Sequence, residues 1–227
     1  MQRHFDDELQ GLNQEILRMG SLVEEAIGKV MKALVERNAA LAQHVMTGDD
    51  PVNLLEVAID ERVLELLARH QPAGSDLRFL AMALKINNDL ERIGDQAVNI
   101  AECTVELLKE PLLKPLIDIP RMSQLAQAMV RDALDAFVRR DPVLARDVCR
   151  RDDAVDQLNE QVFRELLTYM MADPHTITRA VDLILIGRHL ERIADHATNV
   201  AEDVIYLVEG KTIKHHLEER QERPIST

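Results

Sequence analysis

Aromatic side chains are nearly missing from this chain of 227 residues: they make up 3% of it, and there is no tryptophan. A core must then be built from aliphatic side chains, the habit of helices packed on helices. Cysteine is scarce too. Cys103 and Cys149 have neither close pairing nor CxxC spacing, so they read as buried, idle thiols in a reducing compartment. No apolar run is long enough to span a bilayer, FLAMAL and AVDLILIG being among the longest, and MQRHFDDELQ has no signal-peptide core. A cytoplasmic, soluble protein is expected. Basic residues are outnumbered, 27 Lys and Arg against 40 Asp and Glu, and no dense Lys/Arg run occurs. That excludes nucleic acid as the main partner and disfavours anionic membrane, leaving cations or a basic protein surface, with membranes reached only through protein partners.

What the chain has in abundance is helical periodicity. Leu9, Leu12, Ile16, Met19, Val23, Ile27, Val30 and Leu34 predict a first helix over about 5–36, where Gly11, Gly20 and Gly28 could admit a neighbouring backbone. A second helix is expected from a cap at Asn38 to about His70, kinking at Pro51 or restarting with Asp49 or Asp50 as its cap. After QPAGSDLR, with Ser75 as cap, a third runs over about 76–109. The segment KEPLLKPLIDIP reads as a linker. Three further helices follow, over about 121–139, from the Asp141-Pro142 cap to about 171, and from the weaker Asp173-Pro174 signal to about 208, with Gly210 as a stop.

One stretch occurs twice. DLERIGDQAVNIAE at 89–102 and HLERIADHATNVAE at 189–202 share nine of fourteen positions at an offset of 100. ALVERNAALAQHVMTGDDPVN at 33–53 aligns with AFVRRDPVLARDVCRRDDAVD at 136–156 at an offset of 103. Internal duplication therefore organises the chain. The predicted fold class is all-α: two tandem three-helix bundles over 1–110 and 121–210, a Pro-rich linker at 111–120 and a charged tail at 211–227, giving an elongated molecule with pseudo-twofold symmetry.

The polar set of the repeat is the same in both copies: Glu91, Arg92, Asp95, Asn99 and Glu102, matched by Glu191, Arg192, Asp195, Asn199 and Glu202. On a helix Glu91, Asp95, Asn99 and Glu102 fall within about 80° of one another. An amphipathic helix offers a polar face anyway. Like charges at i,i+4 nonetheless destabilise a helix, no Lys relieves them, and the set survives in both copies while Gly94/Ala194 and Gln96/His196 differ. A specific role is the better reading. One helix earlier, Asp49 and Asn53 stand opposite Asp152 and Asp156. Clustered carboxylates and amides suit hard cations or iron, manganese, zinc or magnesium. Oxidative di-iron chemistry is excluded because no Glu is followed three residues later by His, and HExxH, GxSxG and phosphate-cradling loops are all missing. Arg92 and Arg192, each three residues before an aspartate, are expected to pair with nearby acids. With Asn99, Asn199, Glu102 and Glu202 they are also the candidates for contact with a protein partner. His189 and His196 have Asp89 and Gln96 as counterparts, so a duplicated site does not require them.

The run AIDERVLELLARHQPAGSDLRFLAMALKINNDLERIGDQAVNIAE, with LERIADHATNVAED one repeat later, closely resembles the PhoU family of phosphate-transport regulators. The resemblance extends from the first helix to about Gly210. It implies tandem three-helix bundles that often dimerise and are not enzymes. It implies negative regulation of the phosphate-starvation response and of phosphate uptake, by linking the phosphate ABC transporter to a sensor histidine kinase. It further implies metal on E(D)xxxD motifs, by position Glu91 and Asp95, Glu191 and Asp195, and Asp152 and Asp156. The fourth motif departs as Asp49-x-x-x-Asn53, which puts full loading of the first half in doubt. The competing expectation is a metal-binding or metal-storage carboxylate bundle, or a metal-dependent hydrolase.

Overall fold

A computed structural model describes residues 2–211, with side chains from Phe5 onward; all but the first residue of the expected charged tail lies outside this range. Helix α1, Gln2–Glu36, buries Leu12, Ile16, Met19, Val23, Ile27, Val30 and Leu34, the periodic stripe that the sequence displays. Three short connections and one longer one then lead through α2 (Ala39–Thr47), α3 (Asp50–His70), α4 (Ser75–Leu107) and α5 (Asp118–Arg139). The chain closes with α6 (Pro142–Ala172), a 3-10 turn at Pro174–Thr176 and α7 (Ile177–Glu209).

Several ends are set by single side chains. Asn38 accepts from the Leu41 amide at 3.1 Å, and Asp141 accepts from the Val143 and Leu144 amides at 2.9 and 3.1 Å, both as expected. Asp173 caps the 3-10 turn rather than α7 itself. Gly210 ends α7 at a φ of 68°, a left-handed conformation that costs glycine nothing. Ser75 does not cap: Gly74 holds the cap position and Ser75 is the first helical residue, its hydroxyl bonded to Asp76.

The second helix of the first half is split, and the second half shows why. Gly48 and Pro51 interrupt it, so that α3 restarts after Asp49; Arg151 and Ala154, their counterparts, leave α6 unbroken. Asp49 makes no capping bond, which leaves its carboxylate available to α4. A Cβ at Gly48 would stand 2.8 Å from the His44 carbonyl oxygen. Gly48→Ala is therefore expected to lower stability by about 1 kcal/mol, read as a reduced melting temperature in thermal denaturation. Elsewhere the α1 glycines admit side chains, not backbone: at Gly20 a Cβ would overlap Leu134 and at Gly11 it would crowd Arg62.

The bundles α1–α4 and α5–α7 are fused. Helices α1, α4, α7 and α5 pack in a closed ring, each on the next, while α2 and α3 lie outside on α1 and α4, and α6 lies outside on α5 and α7. One continuous apolar cluster, aliphatic but for Phe5, Phe79 and Phe137, fills the whole, from Leu12 through Ile93 and Ile193 to Leu207. The connection before α5 is fastened over this body. Arg37 donates to the Leu108 and Glu110 carbonyls, Arg179 to the Pro111 carbonyl, Lys114 pairs with Glu165, and Leu113 and Leu116 pack on the core.

Candidate cation platforms and the seam between the halves

In the first half, α3 and α4 bring Asp49, Asn53, Glu91 and Asp95 together. Gly94 allows the approach: a Cβ there would lie 3.4 Å from both Asp49 Oδ1 and Val52 Cγ1. Asn53 Nδ2 donates to Asp49 Oδ2 at 3.1 Å. Desolvation raises the Asp49 carboxyl above its ordinary range; the Asn53 bond opposes this and the Asp95 charge adds to it. Glu91 is raised by desolvation and by Asp95, with Glu56 and Asp49 contributing and Arg92 opposing. A cavity of about 70 Å³ opens beside Asp49, between α1 and the α2–α3 junction.

The second half repeats the construction with α6 and α7. Desolvation and the charges of Asp195 and Asp156 push Asp152 up to about 6, with the Thr198 hydroxyl opposing. Asp156, Glu191 and Asp195 are all raised, desolvation leading in each case. His196 and Arg192 pull Asp195 back down. Asn159 Nδ2 donates to Glu191 Oε2 at 2.9 Å, and Gly187 makes room, since a Cβ there would be 2.9 Å from Asn159 Oδ1.

Glu56 and Asn159 were not singled out in the sequence. They are counterparts at the offset of 103, one turn beyond Asn53 and Asp156, so extending the i,i+4 pair to i+7 would have found them. Their presence changes the comparison of the halves. Asp49, Asn53, Glu56, Glu91 and Asp95 match Asp152, Asp156, Asn159, Glu191 and Asp195: four carboxylates and one amide in each set, with the amide moved by one turn. The oxygen donors suit a hard cation, and carboxylates that raise one another's proton affinity would be relieved by one. Among the described residues no three His, Cys, Asp or Glu side chains converge tightly enough to hold a metal ion as they stand. The arrangement is two open platforms.

Asn199, of the repeated polar set, faces elsewhere. Helices α4 and α7 meet along a polar seam between the halves, arranged about a pseudo-twofold axis. His196 Nδ1 lies 2.8 Å from Asp89 Oδ1, and His189 Nδ1 lies 2.9 Å from Gln96 Oε1. Both partners are acceptors, so each Nδ1 carries the proton. Asn199 Nδ2 also donates to Asp89, at 3.2 Å, and Lys85 donates to the buried Asp203 at 3.3 Å. Desolvation, with Arg192 and Arg188 nearby, lowers the His189 pKa. Of the five positions that differ between the two copies, two, 89/189 and 96/196, are thus paired across the seam.

The PhoU domain, as a family pattern, matches residues 16–104 and 119–204, one match in each bundle. The chain belongs to the PhoU family. A phosphate-specific transport system accessory protein PhoU homolog from Aquifex aeolicus is 46% identical over 216 residues, covering 95% of this chain and 98% of its own. A protein of the same description from Pseudomonas aeruginosa is 42% identical over 214 residues, covering 94% and 88%. The crystal structure of PhoU from Pseudomonas aeruginosa superposes with a TM-score of 0.88 at 43% identity, over 91% of this chain and 100% of that one. The phosphate transport system regulatory protein PhoU from Streptococcus pneumoniae gives 0.86 at 32% identity, over 92% and 99%.

On the PhoU repeat, the sequence-predicted residues do not all share one place. Glu91, Asp95, Glu191, Asp195, Asp152, Asp156, Asp49 and Asn53 lie on the platforms. Asn199 belongs to the seam, while Glu102 lines an open pocket with Cys103, Glu106 and Asp182, away from the first platform. Asn99 is half-buried, and Glu202 is near enough to Cys149 to help raise its pKa. Arg92 pairs with its neighbour Glu91 at 3.6 Å instead of reaching Asp95, and exposed Arg192 bears electrostatically on Glu191 and Asp195. Both thiols are half-buried and pushed up to about 11, which makes them unreactive. Among the described residues no helix is long and apolar enough to cross a membrane.

Proposed function

We propose that this chain regulates phosphate-specific transport as a non-catalytic adaptor and acts negatively on the phosphate-starvation response and on phosphate uptake. Its partners in this reading are the ATPase subunit of a phosphate ABC transporter and a sensor histidine kinase. The observation that carries the proposal is the pair of quasi-equivalent acidic platforms on a chain of the PhoU family, whose relatives are named as phosphate-transport accessory proteins. Asp49, Glu56, Glu91 and Asp95 would hold a cation in the first half, and Asp152, Asp156, Glu191 and Asp195 in the second. A bound divalent or iron-type ion would supply positive charge and join α3 to α4, or α6 to α7. The chain's own contribution is to place the acids on outer faces, where a cation or a basic partner can reach them.

The test is a pull-down of the full chain against the cytoplasmic portion of the kinase and against the transporter ATPase at high phosphate. Capture of both is expected, and capture of neither overturns the adaptor reading. In cells, the combined variant Glu91→Ala/Asp95→Ala/Glu191→Ala/Asp195→Ala is expected to derepress phosphate-starvation genes. Full repression by that variant would remove cation binding from the function.

A further inference from the structure

The outer face of α3 is apolar where the fold does not ask it to be. Leu54, Val57 and Leu64 are 72%, 54% and 60% exposed, and they fall within about 80° of one another on the helix, with exposed Ala58 and Ala68 beside them. The duplication provides an internal control. At the offset of 103, α6 carries Gln157 and Glu160, both exposed, where α3 has Leu54 and Val57. Those two positions are therefore satisfied by polar side chains, so packing within the bundle does not require Leu54 and Val57 to be apolar; Leu64, whose counterpart is the exposed Leu167, is apolar in both halves. Single exposed leucines are ordinary, but Leu54, Val57 and Ala58 cluster within about one turn, and Leu64 follows on the same face beyond the exposed Glu61, a grouping that marks an interaction surface.

Charge decides the occupant. Asp50 and Glu61 are exposed on the same arc, Glu61 near its centre, with Glu65 at its edge paired to Arg69 at 3.0 Å, on a chain with a net charge of −13. A second copy of α3 packed antiparallel about that centre would set Glu61 beside its own mate, which disfavours self-association there. A helix with an apolar face flanked by Lys and Arg satisfies both features at once. We propose that the Leu54–Val57–Leu64 face of α3 docks an amphipathic helix of a protein partner whose apolar stripe is bordered by basic side chains. This deepens the adaptor reading and rests on it for the existence of a protein partner.

The probe is a fluorescently tagged synthetic peptide of 18 residues or so, with Leu at helical spacing and Lys on its flanks, titrated against the full chain by anisotropy. A matched peptide with Glu in place of Lys is the control. Leu54→Gln/Val57→Glu, which copies the residues of α6, is expected to weaken binding of the Lys peptide at least about tenfold, and the Glu peptide is expected not to bind. Because that variant adds negative charge, unchanged or tighter binding would mean bare electrostatic attraction and would overturn the proposal. Leu54→Ala, which keeps helix propensity, is expected to lose about threefold and guards against misfolding of the double variant. Phe163→Gln/Leu167→Gln on α6 is expected to change nothing, and an equal loss there would overturn the assignment to α3. Light scattering reads the remaining alternative. A dimer that Leu54→Gln/Val57→Glu dissolves and the peptide does not disturb would make a second copy the occupant. Peptide binding that obeys these rules while both pull-downs fail would leave the surface standing and sink the adaptor reading alone.

Discussion

Asp89→Ala is expected to lower the stability of the chain by about 2–3 kcal/mol, measured by chemical denaturation at neutral pH. Asp89 is only 8% exposed and accepts from both His196 and Asn199 across the α4–α7 seam. Truncating it strands two donors between the halves, and a stranded donor costs more than the net worth of the bond it lost. Asp89→Asn retains one acceptor oxygen and should recover part of the loss. A double-mutant cycle with His196→Ala separates the pair from its surroundings: a coupling near zero would mean that the seam is held by its aliphatic neighbours alone. The effect should also be global. Because α1, α4, α7 and α5 form one ring, the expected transition stays single, with no separate melting of the first bundle.

The second large effect concerns Asp152, and its sign reverses with conditions. Its carboxyl is raised from 3.8 to about 6 by desolvation and by Asp195 and Asp156. Below pH 4 both the folded and unfolded chains hold this proton, and the group contributes no pH dependence. Between about pH 4 and 6 only the folded chain holds it, so stability falls as pH rises, and above pH 6 the full cost is present. Asp49, Glu91, Asp156, Glu191 and Asp195 are raised as well and act in the same direction. In chelator at pH 8, the isosteric Asp152→Asn should stabilise the chain by about 1–2 kcal/mol, or a few degrees in melting temperature, with the gain vanishing toward pH 4. If Asp152 is a cation donor as proposed, the same substitution should weaken binding of an added divalent cation at the second platform at least about tenfold by calorimetry. A gain in chelator that persists unchanged at saturating cation would show that Asp152 holds no ion.

Much of this was legible in the sequence. The Glu-x-x-x-Asp and Asp-x-x-x-Asp/Asn pairs lie together because each pair is one helical turn long and the helices that carry them are neighbours in each bundle. What the helical wheel could not show is that an arc of about 80° on α4 or α7 is not one environment. Each of these helices meets an outer helix on one side and the other half of the molecule on the other. Asn199 and the acids therefore separate although they share a stripe, and Glu102 turns toward the pocket with Asp182. His189 and His196 looked dispensable because their counterparts differ. Their partners come from the opposite copy, which only the crossing of α4 and α7 reveals. The break at Gly48 was signalled by Pro51, whereas the equality of the two donor sets was hidden because Glu56 and Asn159 lie one turn beyond the pair that drew attention.

The seam also bears on how such a chain could have come to exist. In a symmetric pair of single repeats, the residue at position 89 of each copy would face position 96 of the other, twice over, and one amino acid at each position would have to serve both contacts. Joining the copies in one polypeptide removes that constraint: Asp89 can answer His196 while Gln96 answers His189, two unlike pairs on either side of the axis. An ancestral assembly of free repeats could have chosen only one such pairing. The present chain, having diverged at both, has made its halves complementary: neither could now pair with a second copy of itself and keep these contacts, since two first halves would set Asp against Gln and two second halves His against His.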